Sequence, residues 1–243
     1  MKQIEPTVNA SFKTSRKIDT KIIYHLAGHA ASIYLNNKQK QLPAVHFQIN
    51  IKQLENEQSF KCFNNGRNHG SAIIEGGRLI QSLPLAFAVA TRYFTPFQQE
   101  QYRCSFEADV VNLLAGALAE AKYVAICDNE HFTPNLLNFE ALKFYSGKSD
   151  LELIAEYMEC YIPRQVDREQ KLKELFLESF NFVNKRLHWK AITKLANYIR
   201  HENKSIISCE EATAMLKPYS TPVAGHDLFS YPEKNIAPEL ATA

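Results

Sequence analysis

The feature that most constrains this chain is the run Val110-Val111-Asn112-Leu113-Leu114-Ala115-Gly116-Ala117-Leu118-Ala119. Apolar residues fall on most sides of a helix drawn through it, and a helix of that kind is normally buried. Its start is written upstream. Thr95 precedes Pro96, and Gln98 stands three residues after the threonine. That is a capping box with proline at the first helical position. The signals predict one long helix from there to about residue 126, buried over its second half.

Most of the remaining chain also reads as helix. Over residues 19–36, Ile22, Ile23, Leu26, Ala27, Ala30, Ile33 and Tyr34 recur at helical spacing, behind Asp19 or Thr20 as N-cap. Gly28 inside that helix costs about 1 kcal/mol relative to alanine, so a close neighbour is expected there. Residues 84–94 read as a short helix, and Thr133-Pro134 opens another to about residue 145. Ser149-x-x-Glu152 reads as a capping box that places Asp150 in a first turn, with the helix stopping before Pro163. Residues 167–185 and 188–202 are amphipathic, and Ser208-x-x-Glu211 caps a last helix. Strand character is expected only in 43–83. Val45, Phe47, Ile49 and Ile51 alternate, and Gly76-Gly77 is flanked by two short apolar runs that read as a hairpin. The class is therefore mostly α (α+β). A helical domain covers 19–217 with a small sheet or hairpin region near 43–83, a loose arm over 1–18 and an irregular tail over 218–243. Phe139, Phe144, Tyr145, Phe176, Phe180 and Phe182 are expected in the core.

Composition narrows the function classes. At 243 residues, 45% hydrophobic and 22% charged, the chain is an ordinary globular sequence that can bury a core without staples. A net charge of +2 gives no basic bias for nucleic acid. Lys185, Arg186, Lys190 and Lys194 form a basic side that reads as a solvated face. The five cysteines (Cys62, Cys104, Cys127, Cys160, Cys209) are scattered and never paired as C-x-x-C, which suits reduced thiols. Residues 1–15 hold no apolar leader core, and the longest apolar stretch, Leu83 to Ala90, is far below the ~18 residues of a membrane span. The expected setting is cytoplasmic, without a membrane span.

The chemistry centres on His25-Leu26-Ala27-Gly28-His29. Histidines four apart share a helix face, so both imidazoles can reach one ion. A zinc peptidase of the H-E-x-x-H type places a glutamate after the first histidine as general base. Here that residue is Leu26. Without a metal, the same pair reads as two partly buried histidines bonded to backbone or carboxylate. Asp150 reads from the sequence alone as a dipole-favoured acid in a first turn. Glu120 reads either as a surface acid near Lys122 or as an acceptor for the second N–H of a ligand histidine.

Three segments together resemble a known family. Tyr24-His-Leu-Ala-Gly-His-Ala30 is similar to the Y-H-E-A-G-H-A segment of the peptidase domain of FtsH, the membrane-anchored ATP-dependent zinc protease. Leu113-Leu-Ala-Gly-Ala-Leu-Ala-Glu-Ala121 resembles that family's L-L-G-G-R-A-A-E-E helix, and Gly147-Lys-Ser-Asp-Leu-Glu152 its G-A-x-N-D-L/I-E segment. The resemblance covers about residues 20–217. It implies a zinc site of His25, His29 and Asp150, with Glu120 as a supporting acid. Two departures matter. The general base is replaced by Leu26, and no G-x-x-x-x-G-K-[ST] phosphate loop occurs. The expectation is a stand-alone zinc-site domain with weak or no proteolytic activity. Two alternatives stay open: a metallopeptidase with a relocated base, Glu120 or Glu152, and a non-catalytic domain that binds a protein or peptide in the metal groove. A homo-oligomer is compatible with either.

Overall fold

The computed structural model describes residues 18–51, 72–135, 139–145, 148–202 and 204–220. The expected N-terminal arm and most of the expected tail lie outside the described residues, as does Cys62.

Helix α4 (Pro96–Cys127) is the axis of the fold. Thr95 caps it as the sequence requires: its side chain accepts from the Gln98 amide, and Gln98 Oε1 takes the Thr95 N–H at 2.9 Å. From Phe106 to Lys122 nearly every residue is buried. An 18-residue window of α4 averages a hydropathy of 1.5, so α4 passes a membrane-span test by length and composition, and 67% of that window is buried inside the protein. This helix, not residues 83–90, is the most membrane-like stretch of the described residues.

Helix α1 (Thr20–Ala31) crosses α4 at backbone contact. A Cβ on Gly28 would lie 2.5 Å from the Ala115 carbonyl oxygen and 2.6 Å from Ala119 Cβ. Glycine is required there by the approach, which is the neighbour that its position predicts. Beyond α1 the chain makes a π-helical turn (Ser32–Asn36) and runs into the short α2 (Asn37–Gln39). Helix α5 (Lys148–Tyr161) packs on α4, as does α6 (Gln165–Asn184), while α7 (Arg186–His201) packs on α1. Tyr24 of α1 stacks on Tyr123 of α4 at 4.2 Å and on Trp189 of α7 at 5.5 Å. Helix α8 (Cys209–Leu216), capped by Ser208 and Glu211 as expected, runs into a 3₁₀ turn at Lys217–Tyr219.

The sheet is small and antiparallel, in the order β2-β1-β3. Strand β1 (Phe47–Ile51) buries Phe47, Ile49 and Ile51, the alternation read from the sequence. Its partners are β2 (Ala72–Gly76) and the two-residue β3 (Ile206–Ile207). Buried Asp109 of α4 ties the chain after β2 to the helices. It accepts from the Leu79 and Ile80 amides at 2.9 and 2.8 Å and from the Tyr157 hydroxyl at 2.9 Å.

Several expectations are corrected. Gly76 and Gly77 do not join two strands; with φ of +80° and +78° they turn the chain away after β2, whose partner is β1. Strands are not confined to 43–83, because β3 adds to the far edge of β1. The 84–94 segment holds only α3 (Phe87–Ala90), and the segment opened by Thr133-Pro134 holds a 3₁₀ turn at Ala141–Phe144. Ser149 is not an N-cap, since α5 begins at Lys148. Phe144 is 90% exposed and lies outside the core that Phe176, Phe180 and Phe182 join.

Candidate metal centre

His25 and His29 sit one turn apart on α1, both 7% exposed. Their Nε2 atoms are 3.0 Å apart. Asp150, in the first turn of α5, brings Oδ2 to 3.0 Å from His25 Nε2 and 3.1 Å from His29 Nε2. Three ligand atoms from two helices thus form a nearly equilateral triangle, although the aspartate is 125 and 121 positions from the two histidines. Helix geometry supplies the histidine pair; docking of α5 against α4 supplies the third corner.

The other ring nitrogens are both committed to α4. His29 Nδ1 donates to the Asn112 carbonyl at 2.9 Å. A carbonyl only accepts, so a proton sits on Nδ1, and Nε2 is the nitrogen that faces the triangle. His25 Nδ1 donates to Glu120 Oε2 at 3.2 Å, with Glu120 only 4% exposed. This is the arrangement in which outer partners fix the tautomer and orientation of ligand histidines. Asn112 also holds the π-helical turn: its Oδ1 accepts from Ser32 Oγ at 2.7 Å and its Nδ2 donates to Asn37 Oδ1 at 3.1 Å.

Three lone-pair-bearing atoms at this range repel one another unless a cation lies among them. A proton meets the need in the metal-free protein. Burial lowers the His25 pKa, but the hydrogen bonds to Asp150 and Glu120 outweigh burial and push it up to about 9. The Asp150 carboxyl is raised by burial and more strongly lowered by the two histidines, so it stays ionised well below the usual carboxylate range. A divalent ion meets the need equally. Tetrahedral zinc with bonds of about 2.0–2.1 Å has ligand edges of about 3.3–3.4 Å. The edges of 3.0–3.1 Å reach that by opening through about 0.3 Å. His25, His29 and Asp150 therefore form a group that could hold a metal ion.

Gly116 forms the floor of the site. A Cβ at that position would lie 2.3 Å from His29 Nε2 and 2.4 Å from its Cδ2. Neither Gly116 nor Asn112 was singled out by sequence reasoning. The available signal for Gly116 was the one used at Gly28, a glycine in the interior of a helix.

The remaining acids lie elsewhere. Glu120 faces the Nδ1 edge of His25, across the ring from the triangle. Glu152 is exposed and lies 3.9 Å from Lys148. Leu26 is 2% exposed and belongs to the core. Solvent meets the triangle on the α5 side, where the Asp150 side chain is 20% exposed against 8–9% for the two imidazoles.

No family model, curated protein or solved structure matches this chain. The geometry of the site carries the functional reading.

Proposed function

We propose that this protein is a stand-alone zinc-site domain of the FtsH-peptidase type, binding zinc through His25, His29 and Asp150 and cleaving peptides weakly or not at all. One observation carries the metal reading: two imidazoles, each fixed by a bond from Nδ1 to α4, direct their Nε2 atoms at one carboxylate oxygen. Two imidazoles with one carboxylate suit zinc better than magnesium or calcium, which take all-oxygen shells.

The packing supports the family likeness. The helix bearing the two histidines lies on the helix bearing Leu113-Leu-Ala-Gly-Ala-Leu-Ala-Glu-Ala121, and the acid of that second segment meets the first histidine. Bound zinc would supply a Lewis acid and a water of pKa near about 7. The chain supplies orientation, and among the described residues neither candidate base, Glu120 or Glu152, faces the triangle. Leu26 carries an alkyl chain, Glu120 is engaged with His25 Nδ1, and Glu152 is at the surface. A general base contributes about 10²–10⁴-fold to such a reaction. The site's role in this reading is to pin α1 to α5 in a cytoplasmic domain, which leaves the surface beside it for a protein or peptide.

Elemental analysis of the purified protein, with casein cleavage measured on the same sample, tests this. The expected result is zinc near one equivalent and cleavage no faster than that of His25→Ala. Metal-free protein that takes up no zinc on titration overturns the site. Zinc-dependent cleavage well above the His25→Ala control overturns the catalytic half alone.

A further inference from the structure

His29, Ser32 and Asn37 converge on one residue of α4, Asn112. Its carbonyl takes the His29 ring, its Oδ1 accepts from Ser32 Oγ at 2.7 Å, and its Nδ2 donates to Asn37 Oδ1 at 3.1 Å. Ser32, Asn37 and Asn112 are all buried. Ser32 and Asn37 are five positions apart. In an α-helix that separation turns two side chains about 140° away from each other. A π-helical turn closes its bonds at i→i+5 and brings them to one side. The chain is π-helical over Ser32–Asn36, so the Asn112 amide bridges this pair in the π register. In the α register the residue facing the same way as Ser32 would be Asn36, four positions on. That asparagine is also buried, and its Nδ2 has no hydrogen-bond partner among the described residues. The structure thus uses one of two adjacent asparagines and leaves the other's amide unmet.

We infer that Asn112 is a positioning residue of the metal centre: by holding the turn after His29 in its π register, its side chain sets where His29 stands along α4. The inference rests on the zinc reading above and deepens it. Around the triangle the two helices meet through glycines, Gly28 over Ala115 and Gly116 under His29. Glycine permits that approach and has no side chain with which to resist sliding. Asn112 supplies directional bonds at three points of the histidine helix and its continuation. A one-residue change of register shifts a helix by about 1.5 Å, while metal bonds tolerate about 0.2 Å. A π turn is also a rare element that occurs mostly at functional sites.

Leucine substitutions in the full chain test this, because every residue at 112 keeps the carbonyl. Asn112→Leu removes only the amide and should lower zinc affinity about 10–100-fold in competition with a chelator. Asn37→Leu should do the same. Asn36→Leu, the identical change one position earlier, should stay within about threefold of wild type. In Asn112→Leu/Ser32→Ala/Asn37→Leu no stranded polar group remains, so Tm should recover toward wild type while affinity stays low. Without metal, the His29 Nδ1 proton should exchange at least about tenfold faster in Asn112→Leu than in wild type, as read by ¹H–¹⁵N NMR. Asn112→Leu protein that keeps both affinity and proton protection overturns the inference. Equal losses from Asn36→Leu and Asn37→Leu, or a triple variant that regains affinity together with Tm, also overturn it. Wild-type protein that takes up no zinc overturns the zinc reading instead, and the exchange rates then decide the role of Asn112.

Discussion

Gly116→Ala is the most economical test of the metal centre, because it removes no ligand and adds one methyl group. That methyl would lie 2.3 Å from His29 Nε2, 2.4 Å from Cδ2 and 2.7 Å from Cε1, so the whole outer edge of the ring must retreat. Ordinary contact needs about 3.4 Å or more, a displacement of about 1 Å. Metal bonds tolerate about 0.2 Å. The ring cannot turn freely, since Nδ1 is bonded to the Asn112 carbonyl at 2.9 Å. His29 is then lost as a ligand. Loss of a mere supporting partner costs about 10–100-fold in affinity, so loss of one ligand in three should cost at least about 100-fold, or about 3 kcal/mol. Alanine is the better helix former by about 1 kcal/mol, which offsets part of an overpacking cost of about 1–3 kcal/mol. The fold should therefore survive. Competition against a chromogenic zinc chelator gives the affinity, and thermal melts by circular dichroism check the fold. A folded Gly116→Ala protein that binds zinc within about threefold of wild type would refute the placement of His29 in the ligand set.

Four further outcomes are expected. Glu120→Gln should lower zinc affinity about 10–100-fold with all three ligands in place; unchanged affinity in the chelator assay would detach Glu120 from the site. In the metal-free protein the His25 pKa of about 9 lies above its ordinary value of 6.5, so its contribution is complete below pH 6.5 and fades as pH rises to about 9. Tm of the metal-free protein should fall across that window, and saturating zinc should abolish the fall; a flat Tm in metal-free buffer argues against the protonated triad. Leu26→Glu restores H-E-x-x-H and should raise zinc-dependent casein cleavage by up to about 10²–10⁴-fold, but it places an acid at a position 2% exposed and should destabilise the metal-free protein by at least about 2 kcal/mol in urea. Asp109→Ala strands the Leu79 and Ile80 amides, leaves the Tyr157 hydroxyl only the Ile80 carbonyl at 3.2 Å, and should cost about 3 kcal/mol by the same urea assay; a loss under about 1 kcal/mol would mean water replaces the carboxylate.

What could be read from the sequence was local. The boxes at Thr95/Gln98 and Ser208/Glu211 cap helices because their bonds span three residues and need nothing distant. The histidine pair is legible for the same reason. Ser149-x-x-Glu152 failed because an identical pattern one residue inside a helix has no free N-terminus to cap. The Gly76-Gly77 turn was visible, but its strand's partner was not, since β1 and β2 pair across residues 52–71. A two-residue strand such as β3 has no period to detect. In the site, Asp150 entered only through the resemblance, because nothing local distinguishes a ligand from a dipole-favoured acid. Asn112 acts through its carbonyl, a group every residue has, and was not legible at all.

The 121 positions between His29 and Asp150 also set a timetable. A ribosome adds about 5–20 residues each second. The two histidines thus leave it on the order of ten seconds before the aspartate that completes their triangle. Through that interval the nascent chain offers metal a weak two-nitrogen site, and α1 waits for α4 to cover its apolar side. On the proposed reading, tight capture becomes available only when α5 docks, so metal uptake would be an event of finished folding, and zinc content in a cell extract would count completed molecules.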